Sequence, residues 1–552
     1  MTMYLWLSTL IALLGSHGAF SQLVTPNNGT LPTSAFMTRP QANAPAVRIT
    51  QSGAFSQGYI FLAPYQHPGA GPYIYDKFGN LVWDGFGIVG AANVHDFKVC
   101  HYYGAPHLCM AQSNQQLGYA VGQDIIVDSN YRVVATVNTG RGAQPADQHE
   151  FQLINGNSPS AIMTSYRAFP YDLSAFNITS GLGWLMAGMF QEVDVQSGEV
   201  LFEWYSTDHV DPSMTQIRPN TTDVGGDGLT PHTAFDYFHI NSIDKSSDGN
   251  YLVSARHTST IYYINATDQS IIWRLSFLGE SEFSCTNFNF SFQHDARIRS
   301  QTDTSMDLTM FDNAHNCLAS TDVQSSGRFI TIDFANGTAT ETRRTLAPDG
   351  GIASCSQGNT QVLDNGHVFN GWGDKAVFSE VDDDNNIVLA GEYTNTANTD
   401  STAMSYRAFS FDWQSTPNKT KPVVYSYAVN ETAPTAIYVS WNGATTVSIW
   451  RFYASDKIGD DFAVIGSTGH AGFETMWSAP QFYQWVMVEA VAWDGTSLAN
   501  SSYQGTSPTP NAKRLCYPKN EINFIAGGPI MIQLRLYLHV AVGGNGTKHK
   551  TL

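Results

Sequence analysis

The chain has 552 residues, of which 12% are aromatic and only 14% charged, with 47 glycines and a formal charge of −19. That length exceeds one ordinary core and favours a large repeat domain with a smaller one beside it. The acidic balance argues against a nucleic-acid partner, because a phosphate backbone demands a basic face.

Residues 1–21 read as a secretory signal peptide: an apolar run from Leu5 to Leu14, small residues at Ala19 and Ser21, and cleavage near Gln22. A secreted, extracellular glycoprotein is therefore expected. Ten N-x-S/T sequons agree, at Asn28, Asn177, Asn220, Asn265, Asn289, Asn336, Asn418, Asn430, Asn500 and Asn545. Six cysteines suit an oxidising compartment. Cys100 and Cys109 flank a short hairpin, so a cross-strand bridge is the simplest pairing. Cys285, Cys317, Cys355 and Cys516 allow three further connectivities, which the sequence leaves open.

One phrase recurs six times: an apolar residue, Asp or Asn, a polar turn, then an apolar strand. It reads IYDKFGNLVW (74–83), IVDSNYRVVA (126–135), EVDVQSGEVLFEW (192–204), YINATDQSIIW (263–273), TIDFANGTAT (331–340) and EVDDDNNIVL (380–389). Each reads as the outer hairpin of a four-stranded blade. Inner hairpins precede them at 47–65, 95–112, 149–168, 239–257, 293–315 and 356–373, and the segment 404–413 is a candidate closing strand. The expected fold is all-β, with a six-bladed β-propeller over 22–417. A small fibronectin III-like β-sandwich follows over 418–517, where short alternating strands lack the Asp-turn phrase. The tail, 518–552, carries an apolar run broken by Pro529, Gln533, Arg535 and His539, which fits neither a membrane span nor a lipid-anchor signal.

In a propeller the first strand of every blade lines the central channel. His95, His149, His239 and His294 open the inner hairpins of four blades, and residues 357–359 take that place in a fifth. Antiparallel pairing brings His239 and Asn241 beside Arg256 and His257. Convergent imidazoles with an arginine suit a small anion such as sulfate, phosphate or a carboxylate. A metal site is the next reading, weakened because Glu150 and Asp295 directly follow their histidines and should face the other way in a strand. No metal and no cofactor are expected. His257 and His315, at second-strand ends, read as rim residues.

The segments D-x-H-E-F (147–151), FQEVDVQSGEVLFEWYSTDHV (190–210), DYFHINSIDKSSDGNYLVSARHTSTIYYI (236–264), SFQHDARI, TMFDNA (309–314), SQGNTQ, VFNGWG and SYRAF resemble the arylsulfotransferase family, in its fungal secreted branch. The resemblance covers about residues 45 to 415. It implies a six-bladed propeller and transfer of a sulfuryl group from a phenolic sulfate ester to a phenol, through a sulfated histidine and without a nucleotide donor. By motif, His239, Asn241 and Arg256 fall on the family's H-x-N…R pattern, His294 on its nucleophile and His149 on a remaining sulfate ligand. His239 is the alternative nucleophile, and His257 a possible substrate contact.

The chemistry is coherent in its own right. A neutral imidazole is a good nucleophile near pH 7, and Arg256, Asn241 and a second imidazole would stabilise charge on the sulfuryl oxygens. A neighbouring imidazolium would protonate the departing phenolate. The implied partners are a small aryl sulfate and a phenol, although the residues do not separate a phenol from a carbohydrate or peptide acceptor. Oligomeric state is not legible. Two other classes compete: a non-catalytic secreted propeller binding cell-wall glycans or small anions, and a metal-dependent hydrolase or lyase.

Overall fold

The computed structural model describes residues 23–25, 33–65, 69–90, 93–154, 156, 158–179, 182–348, 351–393 and 403–507. The expected signal peptide, Asn28, Asn545, Cys516 and the tail 518–552 lie outside them. The described chain is built from many small antiparallel sheets, with one four-residue α-helix, Phe86–Val89.

Six sheets of four or five strands succeed one another. Sheet I holds Tyr59–Tyr65, Tyr73–Asp76 and Leu81–Asp84, with Met404–Phe411 paired to Tyr59–Tyr65. Sheet II runs Asn93–Tyr102, Ala105–Gln115, Ala120–Val127, Val133–Val137, and sheet III Phe151–Ile154, Ser160–Tyr171, Gly183–Asp194, Val200–Tyr205. Sheet IV runs Ile240–Lys245, Tyr251–Ala255, Thr260–Ile264, Ile271–Ser276. Sheet V contains His294–Gln301, Ser305–Asp312, Ser326–Asp333 and Thr338–Leu346, edged by Ser284–Cys285. Sheet VI contains Asn359–Val362, Val368–Gly371, Val377–Val381 and Ile387–Glu392, edged by Arg48–Gln51.

The recurring phrase forms the turn before the fourth strand in every sheet. Its pivotal side chain accepts backbone N–H groups two to four residues ahead: Asp76 from Phe78 and Asn80, Asp128 from Asn130 and Arg132, Asp194 from Gln196 and Ser197. Asn265, Asp333 and Asp382 do the same in sheets IV, V and VI. This is Asx-turn chemistry, which is why Asp and Asn occupy the position.

An apolar core lies between each pair of successive sheets. Phe61, Phe97 and Leu108 join I to II, Cys109, Phe151 and Met163 join II to III, and Phe190, Ile243 and Tyr251 join III to IV. Leu252, Met306 and Ile330 join IV to V, and Phe311 and Trp372 join V to VI. Phe369, Phe378, Ile60 and Tyr75 then pack VI back on I.

One expectation is corrected here. Residues 47–65 do not form a hairpin: Arg48–Gln51 pairs with Ile387–Glu392 at the outer edge of sheet VI, while Tyr59–Tyr65 lies in sheet I. The innermost strand of sheet I is supplied by Met404–Phe411, so the two ends of this region contribute strands to each other's sheets. This exchange of strands is tertiary pairing that no local pattern encodes.

Beyond residue 417, one three-stranded sheet (Val423–Tyr427, Ala436–Ser440, Glu474–Ser478) faces a second (Ala463–Gly469, Ile449–Ser455, Trp485–Val491, Ser497–Asn500) over a core of Ile437, Trp450, Phe452 and Val488. This part grips sheets I and II. Asn442 exchanges hydrogen bonds of 3.0 Å with the backbone of Asp84, and the Tyr131 hydroxyl donates to Gly443 O at 2.9 Å. Gly443 has φ +84, and a Cβ there would lie 2.2 Å from the Tyr131 ring, so glycine is required.

Cys100 and Cys109 are bridged across their hairpin, and Cys317 is bridged to Cys355 between sheets V and VI. Cys285 carries a free thiol, half-buried, with its pKa pushed up to about 11 by burial. Of the eight sequon asparagines described, none is buried, and Asn177, Asn336, Asn418, Asn430 and Asn500 are exposed.

Candidate active site

The first strands of sheets II, IV and V begin with a break in register, between His95 and Lys98, Ile240 and Ser242, and His294 and Arg297. Asp96, His239 and Asp295 sit there at φ 51, 55 and 53, a left-handed conformation that L side chains adopt only when the surroundings hold them. In sheets II and V the bulge leaves both the histidine and the acid after it buried, His95 with Asp96 and His294 with Asp295. The histidines form one layer and the acids that follow them another.

The histidine layer surrounds Tyr406. Its ring lies 5.3 Å from that of His149, 6.3 Å from His294 and 6.5 Å from His95, between centroids. His149 and His239 approach edge-to-face at 4.9 Å, and His239 lies 4.5 Å from His257. Sequence-chosen His149, His239, Asn241, Arg256, His257 and His294 are thus brought together, all buried. His315 stands apart from these ring contacts and is half-buried.

Each imidazole is held at Nδ1. His149 Nδ1 meets Asp147 Oδ2, which also accepts from His149 N and Thr164 Oγ1. His239 Nδ1 donates to Asp236 Oδ2 at 2.6 Å, and His257 Nδ1 donates to Asp236 O. His294 Nδ1 donates to Asn313 Oδ1 at 2.7 Å. The orientation of that amide is fixed because its Nδ2 donates to Ser354 O and Gln357 O, at 3.3 and 3.0 Å. A proton held on Nδ1 leaves the Nε2 lone pair free to act, and Nε2 presently accepts Gln357 N–H at 3.2 Å.

Arg256 packs against Phe292, donates from Nη2 to Cys355 O at 2.8 Å and from Nη1 to His257 Nε2, and keeps Nε buried without a partner. Asn241 donates from Nδ2 to Gln293 O at 2.7 Å, while its Oδ1 is buried and unpaired. Burial, followed by the charge of Arg256, holds His294 well below the ordinary imidazole value; burial first, with His149 and Arg256, does the same for His239. His257 is lowered by burial, His239 and Arg256. These three rings are therefore neutral at pH 7. In a buried site beside a guanidinium, a positive charge on any of them is too costly.

Asp236, His239 and His257 offer ligand atoms within 4.8 Å of one another, the grouping best able to hold a metal ion among the described residues. Both Nδ1 atoms are committed as donors, and the guanidinium at His257 Nε2 would repel a divalent cation. The arrangement fits an anion better.

The acid layer lies beneath. Arg407, fully buried, donates to Asp96 Oδ1 at 2.6 Å and Glu150 Oε2 at 3.3 Å, and approaches Asp295 Oδ1 at 3.6 Å. Lys98 and Arg297 complete the network on Asp96, Glu150 and Asp295. Three carboxylates meet three cations. Glu150 and Asp295 thus point at Arg407 and anchor the strand Met404–Phe411 that carries it.

Sequence reasoning missed Asp147, Asp236, Asn313, Tyr166, Tyr406 and Arg407. One signal was available: SYRAF occurs twice, at 165–169 and 405–409. Both tyrosines border the histidines, Tyr166 at 5.5 Å from His149 and 6.1 Å from His239.

A cleft of about 820 Å³ lies elsewhere, lined by Phe55, Phe78, Asp128, Asp412, Trp413 and Thr445 among others. It touches none of the histidine cluster.

Comparison with known proteins bears on the cluster. No curated protein matches the chain. Among solved structures it is similar to a protein of unknown function from Bacteroides caccae (13% identity, 64% of this chain and 98% of that one, TM-score 0.34). Others are hydrazine synthase of Kuenenia stuttgartiensis (10%, 57% and 71%, 0.30) and the GH43 protein BlXynB of Bacillus licheniformis (8%, 74% and 89%, 0.29). The family model described as Arylsulfotransferase (ASST) matches residues 103–394, more than half of the chain and the stretch that carries His149, His239, Asn241, Arg256 and His294. The chain belongs to the arylsulfotransferase family, and a sulfotransferase-type enzyme acting on aryl sulfates and phenols is what that membership implies.

Proposed function

We propose that the protein is a secreted aryl-sulfate sulfotransferase that works through a sulfohistidine at His294 on a six-bladed β-propeller. The observation that carries this reading is the His294–Asn313 hydrogen bond, because it leaves Nε2 unprotonated within a cluster of His149, His239 and Arg256. Support for the propeller comes from six successive meander sheets whose cores run in sequence and return from sheet VI to sheet I. The strand order after residue 417 fits the fibronectin III-like reading. Two disulfides and the accessible sequons are consistent with secretion.

In the first half-reaction the Nε2 lone pair attacks sulfur, the S–O bond breaks, and its electron pair leaves on the phenolate. The proton stays on Nδ1, hydrogen-bonded to Asn313 Oδ1. Arg256, with its unpaired Nε, holds the sulfuryl oxygens as charge spreads over them, whereas His239, neutral with its proton on Nδ1, presents only a lone pair at Nε2. Gln357 N–H, released from Nε2, is placed to donate to one of those oxygens. The His149–Asp147 pair supplies a proton to poor leaving groups. In the second half-reaction an acceptor hydroxyl attacks sulfur, the S–N bond returns its pair to Nε2, and the acceptor proton passes to the His149–Asp147 pair where that pair gave one up in the first step, and to solvent where the phenolate left unprotonated.

The test is incubation with p-nitrophenyl sulfate, with and without a phenol. Acceptor-dependent nitrophenol release, a sulfated peptide containing His294, and loss of both in His294→Ala are expected. Release that survives His294→Ala but not His239→Ala would move the nucleophile to His239. Absence of turnover and of any sulfated peptide would refute the proposal.

A further inference from the structure

The two disulfides of the described chain sit in different surroundings. Cys100 is 8% exposed and Cys109 fully buried, and their bridge packs into the core between sheets II and III. Cys317, in contrast, is exposed, and its partner Cys355 is half-buried. A disulfide is opened by a thiolate that reaches one of its sulfurs, so exposed bridges are the readily reduced ones.

Both ends of the exposed bridge adjoin the groups that hold His294. Cys317 lies four residues beyond Asn313, the acceptor of His294 Nδ1–H, and Ala314 and Cys317 stand at φ 56 and 69, which the surroundings must enforce. Cys355 lies within a segment, 354–357, whose backbone touches the cluster repeatedly. Ser354 O and Gln357 O accept from Asn313 Nδ2 at 3.3 and 3.0 Å, and Cys355 O accepts from Arg256 Nη2 at 2.8 Å. Gln357 N donates to His294 Nε2 at 3.2 Å. On the 354–357 side these are all main-chain contacts, so they depend on where the segment is placed. One other tie joins the two loops: Ser325 Oγ donates to Asn313 O at 2.7 Å and accepts from Ser354 N at 2.8 Å. That tie survives opening of the bridge, so the loops loosen without leaving the fold.

We propose that the Cys317–Cys355 disulfide is a thiol-sensitive clamp on the histidine cluster, and that its reduction by an external dithiol shifts the 354–357 segment and lowers the reactivity of His294. A thiolate of the dithiol attacks Cys317 Sγ, and the Sγ–Sγ bond breaks with its electron pair leaving on Cys355 Sγ, which takes up a proton. The second thiol of the reagent then attacks the mixed disulfide, closing its own S–S bond and releasing the Cys317 thiol. Two electrons and two protons pass from the dithiol to the protein. With the clamp open, Arg256 loses the carbonyl that places it, and the Asn313 amide loses the two carbonyls that fix which of its ends faces His294. The proposal rests on the sulfohistidine reading for its activity readout alone.

The full-length protein is titrated with dithiothreitol without denaturant, and thiols are trapped with iodoacetamide and located by peptide mass spectrometry. Cys317 and Cys355 should be labelled before Cys100 and Cys109. At that stage the nitrophenol burst from p-nitrophenyl sulfate should be about tenfold lower, the worth of one lost hydrogen bond to a charged group, and should return on reoxidation. A Cys100→Ser/Cys109→Ser protein should respond as the wild type does, whereas Cys317→Ser/Cys355→Ser should start from the lowered burst and ignore the dithiol. Diethyl pyrocarbonate, which acylates a free imidazole nitrogen, should modify His294 faster once the clamp is open, because Gln357 N–H no longer covers Nε2. Selective opening that leaves the burst unchanged overturns the clamp, as does reduction of both disulfides together or of neither short of unfolding. No burst from the untreated protein refutes the transferase reading instead. The His294 modification rate then decides the clamp, and an equal rate in the oxidised and reduced protein overturns it.

Discussion

Asn313→Ala tests the tautomer argument most directly. The substitution removes the acceptor of His294 Nδ1–H and the donor that serves Ser354 O and Gln357 O. A buried hydrogen bond contributes about 1 kcal/mol net, and a buried carbonyl left unpaired costs about 1–3 kcal/mol. The expected loss of stability is therefore about 2–4 kcal/mol, read as a lower urea midpoint with an unchanged slope. Losing about 1–1.4 kcal/mol of bias toward the Nδ1–H form lowers the reactive tautomer by close to tenfold. Loss of orientation adds to that, and in a serine-protease triad the wrong tautomer costs about 10⁴ in rate. The burst of nitrophenol, followed by stopped flow without acceptor, should fall at least about tenfold. Asn313→Asp keeps an oxygen on Nδ1 but sets a carboxylate against two carbonyls, so it should be as unstable as the alanine variant yet retain more of the burst. A folded Asn313→Ala protein with a wild-type burst would refute the reasoning, because Gln357 N–H, the other group that favours this tautomer, must leave Nε2 before the attack.

Three further outcomes follow from the same groups. His95, His239, His257 and His294 are all lowered by burial, so below about pH 6.5 the unfolded chain takes up protons that the folded chain does not. Stability should accordingly fall as pH drops from 6.5 toward 4.5, by roughly 1.4 kcal/mol per pH unit for each of these histidines, in urea titrations at fixed ionic strength. A flat profile there would contradict the neutral cluster. Replacing Cys317 and Cys355 by serine opens a loop closed over a 38-residue separation, a loss of about 4 kcal/mol in the chain-entropy model. The burst should fall too, because Cys355 O holds Arg256 and Gln357 follows Cys355 by two residues; the equivalent change at Cys100 and Cys109 should cost about 2.7 kcal/mol and spare the burst. Arg407→Met leaves Asp96 and Glu150 without their central cation and should cost about 3–5 kcal/mol in chemical denaturation, since breaking a buried ion network strands the remaining charges.

Much of the scaffold was legible because it is local. The Asp or Asn of each repeated phrase caps its own turn within four residues, so spacing alone located six outer hairpins. The histidines were legible because they recur at the same point of each unit. What was not legible involves partners far apart in the chain. The pairing of Met404–Phe411 with Tyr59–Tyr65 and of Arg48–Gln51 with Ile387–Glu392 spans more than three hundred residues, and the expected 47–65 hairpin failed for that reason. Glu150 and Asp295 were read as facing away on the assumption of a regular strand. The bulges at Asp96 and Asp295, with φ near +50, break that alternation and aim those two acids at Arg407, while Glu150 precedes the first paired residue of its strand, Phe151, where strand alternation does not yet hold.

The amino-acid sequence by itself determined the strands, their turns and the family, since these depend on side-chain alternation and on residues a few positions apart. It also determined which residue types meet, imidazoles with an arginine and an amide. Only the tertiary structure decided their states. Burial beside Arg256 makes His239, His257 and His294 neutral, and Asn313, contributed by the next strand, chooses which nitrogen of His294 can act. Protonation and tautomer are properties of an environment assembled from six sheets, and no single segment of the chain contains that environment.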